Sequence, residues 1–275
     1  MDSGAAPIGI FDSGYGGLTV MRAIADRLPQ YDYLYFGDNA RTPYGNRSFE
    51  TVYQFTRECV FHLFDQGCRL VILACNTASA KALRTIQQHD LPLRAPDRRV
   101  LGVIRPTTEM IGSISRTGHV GVFATSGTVA SMSYIMEVGR FFPHVEVHQQ
   151  ACPLWVPLIE NGELDNAGTA WFVEKYCSAL LAQDPRIDAV ILGCTHYPLL
   201  QPLIDGYLPA GTKTIAQGPV VADRLDDYLQ RHPDLAQQCS RTGKRTFLTT
   251  DDPATFDRHA TTFYGESVRS HHFSL

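Results

Sequence analysis

The feature that most constrains this chain is an alternation. Short apolar runs recur, each followed by small or polar residues and then by a helical pattern. The runs are Ile8–Phe11, Tyr33–Phe36, Leu70–Ala74, Val100–Ile104, Val120–Ala124, Val145–Gln149, Ala189–Leu192 and Thr246–Thr249. Candidate helices lie at Thr19–Arg27, Ser48–Gln66, Ala78–Gln88, Val129–Gly139, Ala167–Gln183 and Val220–Arg231. Buried strand followed by amphipathic helix, repeated, predicts an α/β protein with mainly parallel sheets flanked by helices. Ligands of such sheets bind beyond the carboxyl ends of strands. The residues just after each run are therefore the place to look for chemistry.

Looking there uncovers an internal echo. Residues 71–75 read VILAC and are followed by Asn76 and Thr77, while residues 190–194 read VILGC and are followed by Thr195 and His196. GIFDSG from Gly9 is matched by GVFATSG from Gly121 with one residue inserted. Two related halves, each offering a cysteine at a strand end, would make a pseudo-symmetric molecule. The echo is short, and chance competes with duplication as its source. The best boundary signals are the turn-rich Pro92–Arg99 and Pro209–Lys213 segments.

Each cysteine motif has a chemical and a plain reading. In Ala74-Cys75-Asn76-Thr77 a strand ends at a thiol where a helix begins. Unpaired N–H groups and partial positive charge at that helix end favour thiolate and suit a carboxylate ligand; alternatively Asn76 and Thr77 merely cap the helix. In Cys194-Thr195-His196, the histidine sits two residues from the thiol and could position or exchange its proton. The turn Asp12-Ser13-Gly14-Tyr15-Gly16-Gly17 suggests close backbone approach to a ligand. Thr19 breaks the dinucleotide-binding pattern and no GK[ST] is present, so nucleotide binding is not supported. Asp12 would repel phosphate but could hold an ammonium, or simply cap a helix. Tyr44 and Gly45, and in the other half Thr125 and Thr128, could supply further donors. Glu160, after the apolar Pro153–Ile159, would be partly desolvated.

The bulk properties exclude several classes. The seven cysteines form no CxxC pair, which argues for reduced thiols and against structural zinc. His144 and His148, which would share one face of a strand by period two, read as an exposed strand face, and no metal is expected. The net charge of -4 argues against nucleic acid. The densest basic stretch, Arg94–Arg99, contains a proline and Asp97 and reads as a solvated loop. With no signal-peptide pattern and no long apolar run, the expected location is cytoplasmic, with no membrane partner.

Together the strings GIFDSGYGGLTV, YFGDNARTPYG, LACNTASA, GVFATSGTV, ACPLWVPLIENGEL and LGCTHYPLL resemble the glutamate racemases of the aspartate/glutamate racemase superfamily. A fainter match is TTDDPATF near the C-terminus. The resemblance implies two similar α/β domains with the active site in the cleft between them. The first would be discontinuous, residues 1–97 plus 214–275, and the second would be residues 98–213. It implies interconversion of L- and D-glutamate without cofactor, supplying D-glutamate for peptidoglycan, and a homodimer. It implies catalytic thiols at Cys75, working on the D-face and assisted by Asp12, and at Cys194, working on the L-face and assisted by Glu160 and His196. Substrate contacts would fall on Asp12, Ser13, Tyr44, Gly45, Asn76, Thr77, Thr195 and His196. Arg105-Pro106-Thr107 and Gln217 depart from the commoner pattern and bear on cleft closure, dimer mode and effector sites. The rivals are another dicarboxylate isomerase such as an aspartate racemase, a thiol–disulfide protein, and a non-enzymatic dicarboxylate-binding protein.

Overall fold

The computed structural model describes residues 5–275. Ten strands run β1 (Ile8–Asp12), β2 (Tyr33–Gly37), β3 (Leu70–Leu73), β4 (Arg99–Gly102), β5 (His119–Ala124), β6 (Glu146–Ala151), β7 (Ala189–Gly193), β8 (Lys213–Ile215), β9 (Arg245–Thr249) and β10 (Ser270–His272). They form two sheets, ordered β10-β9-β2-β1-β3-β4 and β6-β5-β7-β8. Every strand pair is parallel. Helices cover the sheets, so central strands such as IGIFD and AVILG are buried along their whole length. That is why they read as continuous apolar runs rather than alternating ones.

The echo in the sequence is a symmetry of topology. Order β2-β1-β3-β4 in one sheet repeats as β6-β5-β7-β8 in the other. Cys75 follows β3 and Cys194 follows β7, so the two thiols leave equivalent strands. A continuous cluster of buried side chains joins the halves, running from Ile10 and Tyr15 through Trp155 and Cys194 to Tyr197.

Several expected elements shift. The Val100–Ile104 run ends as strand at Gly102, and Ile104 opens a short helix. β4 is therefore the edge of the first sheet, although residues 98–102 were expected in the second domain. The Pro92–Arg99 punctuation marks a helix-to-strand connection, part of it helical at Leu91–Arg94, and not the crossing between sheets. The Ala78–Gln88 helix starts earlier, as α3 (Asn76–Lys81), and continues in broken turns to Arg94. The Val129–Gly139 helix is two, parted at Met132, whose φ of 57° is left-handed. β8 and β10, three residues each, escape the pattern, as does helix Pro253–Tyr264. Among the described residues no helix is long and apolar enough to cross a membrane.

Candidate active site

The site lies where the carboxyl ends of the two sheets face each other. Cys75 is the N-cap of α3: its Sγ accepts the Ala78 N–H at 3.4 Å, and the Ser13 hydroxyl lies 3.5 Å away. Asp12, ending β1, is 1 % exposed. Its Oδ1 accepts the Gly14 N–H at 2.9 Å, while its buried Oδ2 has no hydrogen-bond partner. Burial pushes the Asp12 carboxyl above its ordinary value, against the pull of His196 and of the Gly14 and Gly17 N–H groups.

The expectation that a helix N-terminus would depress the Cys75 pKa fails. Burial, reinforced by the Asp12 charge, pushes the thiol up to about 12, and the donors from Ser13 and Ala78 offset only part of this. A helix of six residues whose end is sealed from water loses more by desolvating a thiolate than its dipole returns.

On the opposite side Cys194 Sγ lies 3.8 Å from His196 Nδ1, and His196 Nε2 lies 2.9 Å from Glu160 Oε1. Glu160 closes the helix Trp155–Glu160 with its side chain 23 % exposed, at the rim, whereas His196 is buried. Burial would push the imidazole down. The neighbouring Cys194 and Glu160 outweigh it and raise His196 to about 10. Each thiol thus feels a carboxylate: the Asp12 charge on one side, Glu160 through an imidazole on the other.

Polar groups from both halves close the space between. Thr77, Thr125 and Thr128 hydroxyls meet at 3.0, 3.1 and 3.4 Å. The Gly127 N–H donates to Gly45 O at 2.7 Å, and the Thr19 hydroxyl donates to Thr195 O at 2.9 Å. Cys75, Cys194, Asn76, Thr77 and Thr195 are all buried.

Two expected donors are otherwise engaged. The Tyr44 hydroxyl donates to the buried Asp38 carboxylate. The Asn76 amide donates to Gln217 Oε1 at 2.6 Å and accepts from the Tyr134 hydroxyl at 2.8 Å. The glycine-rich turn also packs closely against the protein itself. A Cβ on Gly16 would lie 2.3 Å from both His196 Nδ1 and Thr195 Oγ1, and one on Gly17 would lie 2.5 Å from Asp12 Cβ. Only glycine lets the two halves meet this closely.

Sequence reasoning missed the network behind Asn76. Gln217 Nε2 donates to Val103 O, Thr107 Oγ1 and the Tyr134 hydroxyl at 3.0–3.1 Å. Gln217 and Thr107, noted separately as departures, thus touch each other and hold Asn76 from behind. Lys81 was missed as well. It is buried, it donates to Arg47 O at 2.7 Å, and burial lowers its pKa.

Comparison with known proteins gives the family. Residues 8–224 match the Asp/Glu/Hydantoin racemase family. A glutamate racemase of Ruegeria pomeroyi is 43 % identical over 271 residues, covering 95 % of this chain and 97 % of that one. The structure of a glutamate racemase isoform of Bacillus anthracis superposes with a TM-score of 0.89 at 33 % identity, over 98 % of both chains. That of the Francisella tularensis glutamate racemase in complex with D-glutamate gives 0.87 at 31 % identity, again over 98 % of both. With a family match over most of its length and relatives aligned almost end to end, the chain belongs to the Asp/Glu/Hydantoin racemase family.

Proposed function

We propose that the protein interconverts L- and D-glutamate by two-base proton transfer at Cα, with Cys75 and Cys194 on opposite faces of the substrate. The observation that carries this reading is the placement of the two thiols at the ends of the equivalent strands β3 and β7, each backed by its own carboxylate. The names of the relatives support glutamate as the substrate.

Inversion needs a base on one face of the carbon and an acid on the other. From L-glutamate, the Cys194 thiolate takes the α-proton and becomes a thiol. The electron pair left on Cα delocalises into the α-carboxylate, and the Cys75 thiol returns a proton to the opposite face. Cys75 is left as thiolate, ready for the reverse reaction. The high pKa of Cys75 narrows the gap to the weakly acidic α-proton, each unit of mismatch being worth about 1.4 kcal/mol. The unpartnered Asp12 Oδ2 would take the substrate ammonium. The Ser13, Thr77, Thr125, Thr128 and Thr195 hydroxyls, with N–H groups at Gly45 and the start of α3, are fixed donors for the carboxylates. Donors held in place before charge develops stabilise it without reorganisation. Asn76 and Tyr44 serve by holding α3 and the Tyr44–Gly45 loop.

The same reading takes the sheets as two domains hinged around the cleft. The crossings lie after β4 and after β8, near the expected boundaries of 97/98 and 213/214. It takes the enzyme as a cytoplasmic homodimer supplying D-glutamate for peptidoglycan.

The test is L-glutamate in heavy water with no added cofactor. Deuterium at Cα together with loss of optical rotation is the expected result. In Cys75→Ser racemisation stops, while one-sided elimination from a substrate with a good leaving group persists. Full racemisation by Cys75→Ser, or aspartate turning over in preference to glutamate, would sink the proposal. So would a reversible Cys75–Cys194 disulfide in place of exchange.

A further inference from the structure

A second cluster of ligand-type side chains lies at the other end of the second sheet, away from both thiols. His119 opens β5. Glu146, its register partner, opens β6, and His148 follows two residues on, on the same face. Asp184 comes from the turn after helix Ala167–Leu181. His144, expected to share a strand face with His148, lies before β6; the residue that does so is Glu146.

The four side chains converge. His119 Nδ1 and His148 Nε2 lie 3.1 and 3.3 Å from the same oxygen, Asp184 Oδ2, and His119 Nδ1 lies 3.6 Å from Glu146 Oε2. One donor atom from each residue fits within 4.8 Å of all the others. A tetrahedral ion with bonds of about 2.0–2.1 Å would have ligand–ligand edges of about 3.3–3.4 Å, which the two distances to Asp184 Oδ2 approach. The imidazole nitrogens add an independent sign. Both are shut off from solvent, yet neither is in hydrogen-bonding geometry with any group. His119 as a whole is 8 % exposed and Asp184 4 %. A buried nitrogen left without a partner is destabilising.

The plain alternative is a set of ion pairs. It requires both rings, with centroids 6.2 Å apart, to share one carboxylate oxygen that Arg186 Nη2 already meets at 2.7 Å, and neither ring nitrogen has the geometry to donate to it. A single divalent ion among the four side chains would give both nitrogens a partner. Asp184 is braced for such service, since its Oδ1 accepts from the Arg186 N–H and Nε at 2.8 and 2.9 Å. Support of this kind behind a liganding carboxylate is a recurring feature of metal sites. Glu146, its side chain 63 % exposed, leaves the way in open.

We propose that His119, His148, Asp184 and Glu146 bind one divalent transition-metal ion. Two imidazoles and two carboxylates are a donor set that suits zinc. The ion would pin the outer edge of the second sheet to the turn after helix Ala167–Leu181. It would stiffen the scaffold without entering the proton transfer.

The test uses the full chain, free of affinity tag and stripped with chelator. Zn²⁺ is titrated by calorimetry and bound metal is counted by mass spectrometry. Co²⁺ serves as the optical probe. The expected result is one ion per chain, a higher melting temperature, and a tetrahedral cobalt spectrum without thiolate charge-transfer bands. His119→Ala and His148→Ala should each weaken binding by at least about 100-fold. Glu146→Gln, at an exposed position where folding is not at stake, should weaken it measurably, while a Cys75→Ser/Cys194→Ser double variant keeps full affinity. The proposal is overturned by a protein that takes up no stoichiometric ion. It is equally overturned by binding that survives the histidine and Glu146 variants, or by binding that vanishes with the cysteines.

Discussion

Replacing Glu160 with glutamine keeps the side chain's shape and removes its charge, and the structure sets the size of the effect. His196 is raised from 6.5 to about 10, a difference of about 3.5 units that burial alone would reverse. At about 1.4 kcal/mol per unit, the site favours the protonated ring by roughly 5 kcal/mol. Cys194 and Glu160 share that work. Glu160's part follows from Coulomb's law across the 2.9 Å contact, softened by its 23 % exposed side chain. An effective dielectric constant of about 40–80 gives about 1.4–2.9 kcal/mol, or roughly one to two pKa units. Glu160→Gln should therefore bring His196 down to about 8–9. The assay is an NMR titration of nitrogen-labelled histidine in the unliganded protein, with the surface histidines as internal references. The alkaline limb of the rate profile should move down with the ring. A variant whose His196 titrates within a few tenths of a unit of the parent would refute the reasoning, because the ion pair would then contribute nothing to holding the proton.

Other expectations follow from neighbouring contacts. Cys75→Ser should lower kcat/KM for racemisation by about 10²–10⁴-fold, the usual worth of a positioned acid–base group, as read by polarimetry. Gly16→Ala drives a methyl into His196 and Thr195; it should abolish activity and destabilise the fold by about 1–3 kcal/mol. The control Gly206→Ala, with nothing within 4 Å, should be neutral or slightly stabilising on urea denaturation. Gln217→Leu strips the Asn76 amide, the Tyr134 hydroxyl and Thr107 of a common partner, and should cost about 2–4 kcal/mol in the same measurement. The folded His196 value lies above the unfolded one, so its stabilisation is complete below pH 6.5 and is lost as pH rises towards about 10. The urea midpoint of the unliganded protein should fall across that window, and His196→Asn should flatten the fall.

The alternation of runs and helices carries the fold class because strands buried on both faces must be apolar throughout. Cys75 and Cys194 were legible for a related reason: each ends such a run, and the runs echo each other. What stayed hidden depends on contacts between distant segments. Gln217 and Thr107 look like isolated departures until the fold makes them neighbours. Asn76 and Tyr44 are donors by residue type, but only the structure shows that each already donates to another side chain. The effect of burial on Cys75 was invisible for the same reason, since a helix dipole can be read locally and desolvation cannot. β8 and β10 are too short to leave a period, and His119, Glu146, His148 and Asp184 come from three separate stretches of chain.

The position of β9 between β2 and β10 has a consequence for biosynthesis. Tyr33 pairs with Arg245, so β2 waits for a neighbour made about 200 residues later. The second sheet, by contrast, is drawn from one uninterrupted stretch, 119–215. At about 5–20 residues per second, β2 spends roughly 10–40 s on the nascent chain with one edge unpaired. During that interval the second sheet can assemble on its own. The half that carries Cys194 is thus expected to be native while the half that carries Cys75 still exposes a strand edge to chaperones.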